Sequence, residues 1–163
     1  MDPDLRARVL AVYGLADAEV AAEEPKCESS GRCCRFTEYG HTLFLSEIEA
    51  EVLLETAPSY DAVSPHGCPF QVNNLCTARD ERPLGCRVYF CDPSFQNRMP
   101  EIIEVGISRL KRLTDEAGRP WRYSPLHVFL QEALDAGRSL NHIVIEDTEK
   151  TTARNPHDRI KLI

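Results

Sequence analysis

Cys27-Glu28-Ser29-Ser30-Gly31-Arg32-Cys33-Cys34-Arg35 is the stretch on which the fold turns. Three thiols, a glycine and two arginines in nine residues predict irregular backbone built around a centre, rather than a helix or strand. Gly31 permits a tight turn that aims backbone N–H groups at sulfur, and Arg32 and Arg35 add positive charge that favours thiolate. The adjacent Cys33 and Cys34 side chains diverge, so they either serve two metals, or one ligates while the other packs.

Working outward, two further groups repeat the theme. One is His66-Gly67-Cys68-Pro69-Phe70 followed by Cys76, and the other runs from Arg82-Pro83 through Cys86-Arg87 to Cys91. All seven cysteines, Cys27, Cys33, Cys34, Cys68, Cys76, Cys86 and Cys91, fall between positions 27 and 91. Cysteines used only as small hydrophobes would be scattered. The start of the chain lacks the basic segment, apolar run and cleavage site of a secretory signal, which places the expected compartment in the cytosol. There, disulfides are uncommon and clustered thiols bind metal or do redox chemistry. Zinc sites usually carry paired C-x-x-C knuckles, and no two cysteines here have that spacing. Iron–sulfur clusters accept many loop spacings, so an iron–sulfur cluster is favoured over a zinc or iron ion. Arg82 and Arg87 are the expected charge partners of the thiolates, and His66 is the histidine expected nearest the metal, ahead of His41.

The flanking segments read as helices. Asp2 and Pro3 open one whose Leu5, Val9 and Val12 or Tyr13 share a face; Gly14 can end it, with helical character resuming from Ala16 to Glu24. His41 to Leu45 is an expected strand, and Ser46 with Glu49 forms a capping-box signature for a helix to about Glu55. Short strands are expected at 70–72 and 87–90. Pro100 opens a helix with Ile103, Ile107, Leu110 and Leu113 on one stripe, closed by Gly118. Ser124 and Pro125 open another with Leu126, Phe129, Leu130, Ala133 and Leu134 inward, closed by Gly137. A strand at 143–145 and a polar tail over 151–163 complete the chain. Trp121 and Tyr123 read as core, and the acidic pairs Glu23–Glu24 and Asp80–Glu81 as solvated surface.

The 163 residues fit one domain: a helical segment over 1–26, the cysteine core over 27–92, helices over 93–150 and the tail. The expected class is α+β, mostly helical, with a few short strands around an irregular cysteine-rich metal-binding core. A net charge of −7 argues against a nucleic-acid partner, and no apolar run approaches bilayer length. The expected partner is a metal ion or cluster; a protein partner is left unidentified.

The order of these motifs resembles the YkgJ-like cysteine-cluster family, described as zinc- or iron-chelating. Its pattern looks like C-x-x-C-G-x-C-C, then C-P-F, a further cysteine, and R-P-x-x-C-R with an aromatic residue and another cysteine. The matches here are Cys27, Gly31, Cys33 and Cys34, then Cys68-Pro69-Phe70, Cys76, Arg82-Pro83, Cys86-Arg87, Tyr89 and Cys91. They cover residues 27 to 92. Ser30 stands where the pattern has its second cysteine, and a hydroxyl is a poor ligand for soft metals, so the site is one thiolate short or Cys91 substitutes. The resemblance extends to the cysteine domain of flagellin lysine N-methylases. It implies a metal-binding protein in redox, sensing or metal-handling roles, with a methylase-related enzyme or a structural-zinc adaptor as alternatives. Whether the chain is an enzyme stays open: the sequence has no glycine-rich nucleotide turn, no C-x-x-x-C-x-x-C loop and no H-E-x-x-H or G-x-S-x-G motif.

Overall fold

A computed structural model describes residues 1–137; the expected strand at 143–145 and the tail from 151 lie outside the described residues. The class is α+β, with just over half of the described residues helical and two small antiparallel sheets.

Helix α1 (Pro3–Glu23) begins as its sequence requires, with Asp2 Oδ1 accepting the Leu5 amide at 3.0 Å and Pro3 in the first turn. It does not stop at Gly14. That residue sits on the exposed face of one continuous helix, while Leu5, Val9, Val12, Tyr13, Ala16 and Val20 supply enough buried stripe to carry the helix past it. Strand β1 (Phe44–Ser46) starts later than expected and pairs antiparallel with β2 (Tyr123–Pro125), Leu45 opposite Ser124. Helix α2 (Glu47–Thr56) carries the capping box foreseen at Ser46 and Glu49.

Next comes a two-stranded hairpin, β3 (Gln71–Val72) and β4 (Leu75–Cys76). Its turn residues, Asn73 and Asn74, have φ of 50° and 64°, the left-handed conformation that a two-residue hairpin demands and asparagine tolerates. Residues 87–88, expected in a strand, instead close helix α3 (Leu84–Val88). Two long helices follow, α4 (Arg98–Glu116) and α5 (Leu126–Asp135), with Gly118 and Gly137 in the left-handed conformation beyond their ends. On α4 the buried positions are Ile102, Gly106, Leu110, Leu113 and Thr114, while Ile103 and Ile107 are half-buried, so the first half of the stripe is shifted by one residue from the expected one.

Two hydrophobic cores result. The first joins α1, α3 and α4, including Val9, Val88 and Leu110. At its centre Leu84 fills the space beside Gly106, where a Cβ would stand only 2.4 Å from Leu84 Cδ2. The second core gathers Phe36, Leu45, Phe70, Leu126 and Leu130, with Cys68, Cys76 and Cys86 packed against it. Helix α2 belongs to both: Ile48 and Val52 face the first, Ala50, Leu53 and Leu54 the second. Burial of this kind stabilises by about 25 cal/mol per Å² of apolar surface removed from water.

Candidate metal centre

Several local devices bring the cysteines together, and Cys27 alone among the seven is exposed. Gly31, at φ 72°, turns the chain into a single 3₁₀ turn, Arg32–Cys34. The turn is pinned from outside, as Gln71 Nε2 donates to the Gly31 carbonyl and Arg35 Nη2 to that of Ser30, both at 2.7 Å. Cys68 is tied alongside through its amide, which donates to the Cys34 carbonyl at 2.9 Å. The hairpin delivers Cys76, opposite Gln71, and α3 delivers Cys86. The Cys91 sulfur lies 3.8 Å from Ser30 Oγ. The Lys26 amide donates to Asp92 Oδ2 at 2.9 Å, which ties the chain before Cys27 to the chain after Cys91.

Two small voids lie between these segments. An inner one, about 20 Å³, is lined by Cys33, Cys34, Cys68, Cys76 and Cys86, with apolar walls from the second core. An outer one, about 100 Å³, is lined by Cys27, Cys33, Cys76, Cys86 and Cys91, with Ser30 at its edge. Cys33, Cys76, Cys86 and Arg82 border both. The seven expected cysteines therefore all face one or other of two adjoining spaces. The Cys33 and Cys34 side chains do not diverge as expected: the 3₁₀ turn brings their sulfurs to 3.9 Å, facing one void. Among the described residues, no group of three or more His, Cys, Asp or Glu side chains could hold a metal ion as the side chains stand.

Cys33, Cys34 and Cys86 hold their protons more tightly than an ordinary thiol. Cys33 is pushed up by its contact with Cys34, then by burial, while Arg82 opposes the rise. Its partner Cys34 is held down by that same contact but driven up by Cys68, by burial and by the neighbouring thiols, reaching about 12. Desolvation lifts Cys86 well above its ordinary value, with Arg82 again the opposing charge. Thiols so placed give up their protons only to a cation that replaces them.

Of the two arginines expected beside the thiolates, Arg82 borders both voids and Arg87 borders neither. Its guanidinium lies 4.6 Å over the Tyr13 ring, pairs with Asp17 at 2.7 Å and donates to the Arg82 and Asp80 carbonyls. It acts on the loop that carries Arg82. His66 is exposed and its Nδ1 pairs with Thr37 Oγ1 at 2.8 Å. His41 is the nearer histidine, stacked on Tyr89 at 5.0 Å with Nε2 3.4 Å from the Cys33 carbonyl. Two features escaped the sequence reading. Glu49 is buried and its carboxylate accepts the Leu84 amide at 2.9 Å, the start of the helix bearing Cys86. Trp121 packs half-buried against the first core, but Tyr123 is exposed; the two form a ladder with Phe44, with successive ring centroids 5.9 and 5.8 Å apart. The alternation of β1 could have flagged Phe44 as outward, but nothing local reveals its partner 79 positions on.

Comparison with protein families, with curated proteins and with solved structures finds no match to this chain. Among the described residues no helix is long and apolar enough to cross a membrane.

Proposed function

We propose that this protein holds a cysteine-ligated metal centre, with an iron–sulfur cluster as the favoured occupant and a zinc or iron ion as the other. One observation carries the reading: four separate chain segments converge five cysteines on one void, and three of these also border the next. Hydrophobic packing alone has no need of such selectivity for sulfur. The two volumes bear on the occupant. A void of about 20 Å³ has room for one ion or water-sized body, whereas about 100 Å³ has room for several atoms. The outer void, with Cys27, Cys33, Cys76, Cys86 and Cys91 around it, is therefore the seat for a cluster, and Arg32, Arg79 and Arg82 are the charges that offset an anionic one. Cys91 beside Ser30 supports its taking the ligand place that a serine cannot fill. The resemblance to the YkgJ-like family and the lack of C-x-x-C knuckles point the same way. A role in redox, sensing or metal handling follows from such a centre.

The test is anaerobic purification followed by an absorption spectrum and counts of iron, zinc and acid-labile sulfide on one sample. Matched iron and sulfide with broad visible absorption is the expected result. Stoichiometric zinc in a colourless protein replaces the cluster by an ion, and no metal at all overturns the proposal.

A further inference from the structure

A third space adjoins the cysteines, with Leu43 of the second core in its lining. It measures about 250 Å³ and shares Cys33 and Cys86 as its inner wall. Its remaining faces are largely rings: His41 stacked on Tyr89 at an interplanar angle of 22°, and Phe44 stacked on Tyr123 at 23°. Behind Tyr123 the ladder continues to Trp121, nearly parallel at 10°. Ile103 of α4 closes one end. No Asp, Glu, Lys or Arg lines this space, although the chain is 28% charged.

From these walls we infer that the pocket is a binding site for a neutral, planar aromatic or heteroaromatic molecule, held against the Cys33–Cys86 wall of the thiol cluster. Stacked rings offer further rings a favourable offset contact, worth about 0.5–1.5 kcal/mol per pair beyond area burial. A charged ligand would lose its hydration and find no counter-ion there. Cys33 and Cys86 border this pocket and both voids of the proposed centre, and the role of the pocket as that centre's approach rests on the metal-binding reading. The site for the ring itself does not.

Equilibrium dialysis of the metal-loaded full-length protein against 2-naphthol, and separately against 2-naphthoate, tests this. The two probes share a ring system and differ in charge. One 2-naphthol per chain is expected, with 2-naphthoate at least tenfold weaker. Tyr123→Ala is expected to weaken 2-naphthol binding at least tenfold while metal content and helicity stay unchanged. Ile103→Phe, which fills the pocket from the opposite end, is expected to do the same. Equal binding of both probes, or 2-naphthol binding untouched by both substitutions, overturns the inference. Metal counted on the same samples keeps the two readings apart: a metal-free protein that still binds 2-naphthol sinks only the centre, and a metal-loaded protein that does not sinks only the pocket.

Discussion

Glu49 Oε1 accepts the Leu84 amide at 2.9 Å, so a carboxylate on α2 caps the helix that carries Cys86. Its other oxygen accepts the Ser46 amide and hydroxyl, both at 2.8 Å. The side chain is 1% exposed. A short helix between a proline and a cysteine is thereby fixed by a residue 35 positions upstream.

Removing that carboxylate with Glu49→Ala should leave two amides buried without partners, at about 1–3 kcal/mol each. A loss of at least about 2 kcal/mol in urea unfolding is expected. Metal retention should fall with it, because Cys86 loses its support. An unfolding midpoint equal to that of the wild type would show that Glu49 positions nothing.

The same group sets a pH dependence. Burial raises the Glu49 pKa above its ordinary 4.5, although bonds from Ser46 and Leu84 oppose the rise and buried Tyr13 lies within its field. A carboxyl raised in the folded state contributes stability that is full below its unfolded value and lost as pH rises through its folded value. Between wild type and Glu49→Gln, unfolding midpoints measured from pH 4 to 7 should therefore diverge just above pH 4.5, with the wild type falling more steeply. Parallel profiles would remove the assignment.

Metal affinity should rise steeply with pH. Cys33, Cys34 and Cys86 all hold their protons above the ordinary thiol range, so each that ligates must release one. Competition against a chelator between pH 6 and 8 should show log affinity climbing by about two or more per pH unit, corrected for the chelator. A slope near zero would mean that these thiols are not ligands.

The cysteines should not be equivalent. Cys86 borders both voids, whereas Cys27 is exposed and borders only the outer one. Cys86→Ser is expected to abolish metal binding, and Cys27→Ser to retain it with faster loss to chelator. The reverse order would relocate the centre to the surface loop.

Gly31→Ala should damage the site without touching a thiol. Its φ of 72° and a new Cβ 2.3 Å from Gln71 Nε2 strain the turn that presents Cys33 and Cys34. A cost of about 1–3 kcal/mol in unfolding and reduced metal content are expected together.

What the sequence made legible was local. The Ser46–Glu49 box, the Asp2–Pro3 start and the closing Gly118 and Gly137 are short-range chemistry, and each stands where expected. The seven cysteines, clustered between positions 27 and 91, line two adjoining voids. The errors came from distant partners. Residues 87 and 88 carry the β-favouring look of a strand, but the Glu49 cap and the fit of Leu84 beside Gly106 make them helical. Arg87 and Arg82 look alike in sequence, and Tyr13 and Asp17, some seventy residues away, draw only Arg87 aside. His66 is close to Cys68 along the chain but is exposed and bonded to Thr37, whereas His41 is placed beside Cys33 by its stack on Tyr89.

Helix α2 packs on both of its faces, one toward the α1–α3–α4 core and one toward the core beneath the cysteines. Neither core can open while the other stays shut, because each would strip a wall from its neighbour. The described domain is therefore expected to melt as a single foldon, with amide protons deep in α1 and α4 registering events at sulfur atoms they never touch.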